Sequence, residues 1–517
     1  MTLAHHSLPS NPDELRALTT SLQAEVYHKS LMIEKLRHEL AAMRRARFGR
    51  SSEKLDQGID QLELMLSELA ENTSFDGVKI EQSDPSKNEG VKPKSKLNNR
   101  KPLPDHLPRE IIRHETVCSC PVCGGTNLTQ IGEDEREVLE YVPSHFKVQV
   151  HVRPKMSCRS CEKITQAPMP SLPIEKGRPG AGLLAHVLVS KYCDHLPLYR
   201  QAGIYTRSGV DLDRSTLADW VGKMAFLLKP LSEAIAVHAR SGKTVHADDT
   251  TVPVLAPGQR KTKIGRVWAL VRDERTWGSD APPAAVYLYS PNRKAEHAHT
   301  LLRDCSGYLH ADGYAGFNKF YEPDPRTGDP PQFKEVACWA HARRKIYDVH
   351  VATGSAAAKD TLDRMAELFA IEGNIRGLSP EERLAVRQER SIPRLRDLEQ
   401  QIDKVLGSIS NKSSLAKALR YSVSRRAALA RYTTDGRLEM TNNAVERAIR
   451  PLALGRRNWT FAGSDAGGQR AAIIYTIIET AKMNKVEPEA YLRDVIERIS
   501  DYNTKDIEPL LPWNWHS

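Results

Sequence analysis

Lys243-Thr-Val-His-Ala-Asp248-Asp249-Thr250 marks the point where the apolar pattern of this chain changes from a helical period to a period of two. Before it, Gly180 to His238 reads as helix. Within that stretch, Leu198–Arg207 and Ser215–Met224 are joined by Ser208-Gly-Val-Asp-Leu212. This is a helix-turn-helix outline with Asp213 or Ser215 as N-cap of the second helix, although two helices and a glycine turn occur in many helical domains. After it, Thr244–Ala247, Gly265–Val271 and Ala284–Tyr289 are β-rich runs separated by turn residues. A helix Arg293–Asp304, a strand Gly307–Ala311, a short helix Ala315–Tyr321, a strand Glu335–Trp339 and a helix His341–His350 follow. Residues 356–430 read as helix, with no strand signal.

Three strands, helix, strand, helix, strand, helix is the order of an RNase H-like α/β domain. The predicted core is 241–350, with a helical insertion at 351–435 and a closing part at 436–517. Three acids fall where such a domain wants them. Asp248 follows the first β-run, Asp312 ends the fourth strand in His310-Ala-Asp312-Gly313, and Glu446 lies near a helix start in Asn442-Asn-Ala-Val-Glu446-Arg447. The first and fourth strands are neighbours in that fold, so Asp248 and Asp312 can converge, and a crossing helix can add Glu446. Carboxylates hold Mg²⁺ or Mn²⁺ through hard oxygen ligands, and such ions drive in-line displacement at phosphodiesters. Taken singly, Asp312-Gly313 is a common turn, and Asn443–Glu446 is a capping box or the start of a Glu446–Arg450 pair. Taken together and in order, the three point to catalysis.

Upstream, in a leucine-zipper-like segment 1–71, residues 13–71 read as helix, and Leu22, Val26, Lys29, Ile33, Leu36, Leu40 and Met43 form a heptad seam that predicts self-association through a coiled coil. Residues 72–108, rich in Lys, Asn, Ser, Asp and Pro, read as a flexible linker. Residues 109–170 hold Cys120-Pro-Val-Cys123 and Cys158-Arg-Ser-Cys161, two knuckles that predict a closed structural Zn²⁺ site in a small module. Cys118 is a spare, while Cys193, Cys305 and Cys338 read as core. Residues 171–240 form the helix-turn-helix-like segment.

The net charge of +10 favours polyanion partners, nucleic acid first. Arg447, Arg450, Arg456 and Arg457 crowd around Glu446, with Trp459 placed to stack on a base. Arg343 and Arg344 open a second basic helix. The N-terminus has no apolar stretch of signal-peptide length, and the run Ala471–Ile478 is too short to span a bilayer, so a soluble cytoplasmic protein is expected, with no membrane partner.

At these residues the chain resembles the transposases of the bacterial insertion-sequence-66 family. The matching pieces are Arg47-Phe-Gly-Arg-Ser-Ser-Glu-Lys54, the two knuckles, Leu196-Pro-Leu-Tyr-Arg200, Asp248-Asp-Thr250, Ala311-Asp-Gly-Tyr314, Cys338-Trp-Ala-His-Ala-Arg-Arg344, Asn442-Asn-Ala-Val-Glu-Arg447 and Gly455-Arg-Arg-Asn-Trp459, in family order from about residue 30 to 500. The resemblance implies a leucine-zipper-like segment, a zinc-binding domain and a DDE catalytic domain whose helical insertion precedes the glutamate. It also implies action on double-stranded DNA at terminal inverted repeats with help from accessory proteins of the same element, while the heptad seam points to a homo-oligomer. The family reads Asp-Glu-Thr where this chain has Asp248-Asp249-Thr250, and the alignment selects Asp248. Two other functions share these features: a nuclease that only hydrolyses, and a zinc-containing DNA-binding regulator with an inactive RNase H-like domain.

Overall fold

The computed structural model describes residues 103, 105, 107–114, 124–126, 128–142, 145–174, 177–256, 262–502 and 506–516. The heptad segment, nearly all of the expected linker, and Cys120 and Cys123 lie outside the described residues. The chain divides into two compact units. The larger comprises 99–343, 363–411 and 419–517; the smaller comprises 1–98, 344–362 and 412–418. Two mixed sheets and many helices make the architecture mixed α/β.

The first sheet is built on β3 (His145–Cys158), whose alternating burial at Phe146, Val148, Val150 and Val152 turns one face to the core. β2 (Leu128–Val142) pairs with it antiparallel along its length, β1 (Arg109–Arg113) runs parallel on its other side, and β4 (Ile164–Gln166) is antiparallel at its end. Four helices follow: α1 (Ala181–Tyr192), α2 (Leu198–Arg207), α3 (Arg214–Leu227) and α4 (Lys229–Arg240). Asp213 takes the N-cap position of α3 but makes no side-chain capping bond. The helix is held by Leu217, Trp220, Val221 and Met224, all buried.

The second sheet has the order β7-β6-β5-β8-β9. β5 (Thr244–Leu255), β6 (Thr262–Arg272) and β7 (Ala284–Ser290) are successively antiparallel. β8 (Gly307–Ala311) and β9 (Phe333–Ala337) then extend the sheet parallel to β5. The first strand is longer than expected. It does not stop at Ala247 but runs through both aspartates to Leu255. The β-branched Thr250-Thr-Val252 continues the pleat, and β6 supplies a partner as far as Leu255↔Thr262. The expected strand Glu335–Trp339 lies two residues earlier, because α6 (Trp339–Thr353) already begins at Trp339.

The second sheet's edge at β7 is covered. Helix α13 (Asp465–Met483) lays Thr476 and Thr480, one turn apart, along the strand. Their Oγ1 atoms accept from Tyr287 N–H at 3.0 Å and Ala285 N–H at 3.2 Å, so groups that would template aggregation are occupied. Between β7 and β8 lies α5 (Ala295–Leu301), shorter than expected. After α6 come α7 (Ala356–Asn374), α8 (Pro380–Val386), a π-turn at Arg387–Ser391, α9 (Ile392–Ser408), α10 (Ser414–Ser424) and α11 (Arg426–Ala430), all helix as the sequence predicts. The chain returns through α12 (Asn443–Trp459), α13 and α14 (Pro488–Arg498). No helix among the described residues is long and apolar enough to cross a membrane.

Candidate active site

The site begins with a repeated tripeptide, His246-Ala-Asp248 on β5 and His310-Ala-Asp312 at the end of β8. The strands are parallel neighbours, with His246 in register with His310. The two imidazoles stack at 4.2 Å with an 18° interplanar angle, both buried. Side chains two residues apart in a strand share a face. Asp248 and Asp312 therefore stand on the same face at the same end of adjacent strands. Burial depresses the basicity of both histidines, with their mutual proximity adding to the effect at His310.

Asp249 points the other way. Its carboxylate, almost fully buried, pairs with Arg266 at 2.5 Å and Arg293 at 2.7 Å. Asp248 has no such partner. It accepts the Asp249 N–H at 2.7 Å, but burial first, and then the charges of Asp312, Asp249 and Glu446, push its carboxyl up to about 7. One of the adjacent aspartates is neutralised within the protein. The other is left beside two further carboxylates.

Glu446 enters from the first turn of α12. The capping-box reading of Asn443–Glu446 does not hold, since the N-cap is Asn442 and its side chain makes no capping bond. Asn442, wholly buried, reaches β5 instead. Its Oδ1 meets His246 Nδ1 at 3.0 Å, and its Nδ2 donates to Ala247 O at 3.1 Å. The helix is also tied to the sheet by Tyr287 Oη donating to Ala448 O at 2.6 Å, and by Arg456, whose guanidinium donates to Thr251 O and to Thr251 Oγ1 at 2.8 Å. Glu446 Oε1 lies 3.5 Å from His341 Nδ1 on α6. Gly313, just after Asp312, has φ +86°, and a Cβ there would collide with the Arg425 guanidinium, which donates to Gly313 O at 2.9 Å.

The predicted basic residues have several fates. Arg456 is spent on β5, Arg447 leans toward Asp273 at 3.8 Å, and Trp459 is half-buried against the core. Arg343, Arg450 and Arg457 are exposed, and Arg344 belongs to the smaller unit. In the first sheet, Cys158 and Cys161 occupy the tight turn between β3 and β4. There Cys158 N–H donates to Lys163 O at 2.9 Å, Glu162 N–H donates to Cys158 O at 2.8 Å, and Glu162 adopts φ 56°. That turn has the tight form of a knuckle. His246, His310, His341 and Asn442 were not singled out from the sequence. The twice-repeated His-Ala-Asp was the available signal for the first two.

A sequence model described as "Transposase IS66 family" matches residues 176–470, more than half of the chain and enclosing Asp248, Asp312, His341 and Glu446. The chain belongs to the insertion-sequence-66 transposase family. Three further matches extend the assignment: "zinc-finger binding domain of transposase IS66" over 117–162, "Transposase C of IS166 homeodomain" over 35–112, and "IS66 C-terminal element" over 476–513. The zinc-finger match encloses all four knuckle cysteines. Relatives in Sinorhizobium fredii (strain NBRC 101917 / NGR234) agree along the whole length. Uncharacterized protein y4hP is 40% identical over 497 residues, covering 94% of this chain and 88% of its own. Uncharacterized protein y4jD is 36% identical over 519 residues, covering 100% and 98%. Membership in the IS66 family supports a transposase role, and with it DNA binding and nucleic-acid processing.

Proposed function

We propose that this IS66-family chain is a DDE-type transposase that cuts and joins DNA strands at the terminal inverted repeats of its element, with Asp248, Asp312 and Glu446 as the catalytic triad. The observation that carries the reading is the parallel register of His246 with His310, which sets Asp248 and Asp312 side by side. The β7-β6-β5-β8-β9 order supports an RNase H-like core, and the helices between β9 and α12 match its expected insertion.

The donor set of three carboxylates suits a divalent ion, although only Glu446 of the three belongs to a group whose ligand atoms already lie within 4.8 Å of one another. Burial first, and then its acidic neighbours, hold Asp248 up near 7, and Glu446 Oε1 is sealed from solvent without a hydrogen-bond partner. When bound, Mg²⁺ or Mn²⁺ would activate the attacking oxygen and stabilise the leaving one. The chain's own contribution is placement. The strand register aligns the aspartates, Asn442 and Arg456 fix the helix that bears Glu446, and the Arg266 and Arg293 pairs keep Asp249 off the face that Asp248 presents. The exposed Arg450 and Arg457 of α12, with Arg343 of α6, would bind phosphates. Zn²⁺ held by Cys120, Cys123, Cys158 and Cys161 would fold the module that contacts DNA. Assembly on paired ends, with accessory proteins of the element, belongs to the same proposal.

The test is strand transfer on end-containing DNA in Mg²⁺ or Mn²⁺. Asp248→Asn, Asp312→Asn and Glu446→Gln are each expected to lower joined product by roughly a thousandfold or more. Cleavage without joining in the wild type would make the chain a nuclease. DNA binding with neither product would leave the regulator.

A further inference from the structure

Cys338, His341 and Glu446 form the only group of three potential metal-binding side chains found among the described residues, their ligand atoms all within 4.8 Å of one another. Cys338 drops out on chemical grounds. Its Sγ already accepts the Asn442 N–H at 3.2 Å, and a soft sulfur does not match the hard Mg²⁺ or Mn²⁺ that carboxylates hold. That leaves His341 and Glu446. Nδ1 of the one and Oε1 of the other lie 3.5 Å apart, beyond good hydrogen-bond range, and both atoms are sealed from solvent without a hydrogen-bond partner. Two adjacent polar atoms left unmatched in this way leave room for a third group between them. Cis ligands of an octahedral ion at roughly 2.1 Å are about 3 Å apart, so a small side-chain rotation brings the pair onto one ion.

The backbone around His341 is fixed in advance. Trp339 N–H donates to Met440 O at 3.1 Å and Trp339 Nε1 to Leu429 O at 2.9 Å, while Cys338 Sγ receives Asn442. The start of α6 is thereby fastened to the segment that leads into α12. Asn442, which closes that fastening, is the residue bound to His246 beneath Asp248.

We propose that His341 is a fourth protein ligand of the divalent ion at the carboxylate site, coordinating through Nδ1 beside Glu446. This rests on the reading of Asp248, Asp312 and Glu446 as metal ligands. An imidazole nitrogen suits Mn²⁺ better than the harder Mg²⁺, so His341 biases the site toward Mn²⁺.

The experiment uses the full chain loaded with one equivalent of Mn²⁺, with electron spin-echo envelope modulation and calorimetric titration as readouts. Wild type is expected to show ¹⁴N modulation from a coordinated imidazole, replaced by the ¹⁵N pattern when histidine is ¹⁵N-labelled, a check that needs no substitution. His341→Gln should lose that modulation and bind Mn²⁺ about tenfold more weakly, with a smaller change for Mg²⁺. Wild type without nitrogen modulation, or unchanged Mn²⁺ affinity and modulation in His341→Gln, would overturn the proposal. If Asp248→Asn and Glu446→Gln still lose Mn²⁺ in that case, the carboxylate site stands without His341. If those two variants bind Mn²⁺ as wild type does, the carboxylate reading fails and His341 fails with it.

Discussion

Two charge clusters within the larger unit, one buried and one half-buried, are built on opposite lines. Arg387, in the π-turn after α8, is fully buried with all five N–H donors engaged. Nε and Nη2 grip Glu372 at 2.8 and 2.6 Å, Nη1 donates to Tyr432 O and Asp435 O at 2.9 and 3.0 Å, and Nη2 also reaches Leu438 O at 2.9 Å. At the carboxylate cluster, like charges stand together without a cation, and Asp248 is forced toward neutrality. The first cluster is finished by folding alone. The second leaves Asp248 beside further acids, with no ion-pair partner among the described residues. A matched buried charge is part of the scaffold, whereas an unmatched one marks a site.

The finished cluster also serves the unfinished one. Arg387 and Arg383 hold residues 432–439, Arg383 through Glu439 at 2.6 Å, and the Glu439 N–H donates to His310 at 3.0 Å beneath Asp312. The helical insertion thus contributes the buttress of the strand end that carries a candidate catalytic residue. Replacing Arg387 with Met should cost about 3–5 kcal/mol, because buried Glu372 keeps only the longer Arg383 contact at 3.8 Å and three carbonyls lose a donor. Urea unfolding measures it, and a loss below about 1 kcal/mol would erase the contrast between the clusters. A smaller effect of the same sign is expected at Asp249. Asp249→Asn keeps one acceptor but weakens two ion pairs, so about 1–3 kcal/mol should be lost while strand transfer falls far less than in Asp248→Asn. Equal loss of joining in the two variants would mean that the choice between the adjacent aspartates is wrong.

Much of this frame was legible in the sequence. Leu198–Arg207, Gly307–Ala311 and Ala315–Tyr321 are found where the hydrophobic period and turn residues predict them. What escaped was long-range. The first β-run is expected to stop at Ala247, before the paired charges of Asp248-Asp249. Only β6 and the arginines at 266 and 293 make that pair a strand interior. Arg387 on a helical stretch looks like a solvated cation, and nothing local reveals that Glu372 and three carbonyls enclose it. His341 and Glu446 are about a hundred residues apart in the chain, so their meeting is a property of the fold.

The most direct test of the contrast is the thermal stability of metal-free Asp248→Asn beside wild type, from pH 4 to 8, with and without Mn²⁺. Asp248 has a folded pKa raised to about 7, so its protonated form stabilises the protein fully below the unfolded value near 4. That stability is lost as the pH rises through about 7. The variant should therefore match wild type near pH 4 and exceed it by about 1–2 kcal/mol at pH 8, a gain discounted for the partial exposure of the site. Mn²⁺ should raise the melting temperature of wild type at pH 8 and leave the variant nearly unmoved. A variant less stable than wild type at pH 8, or stabilised by Mn²⁺ to the same degree, would contradict a carboxylate cluster strained until a cation arrives.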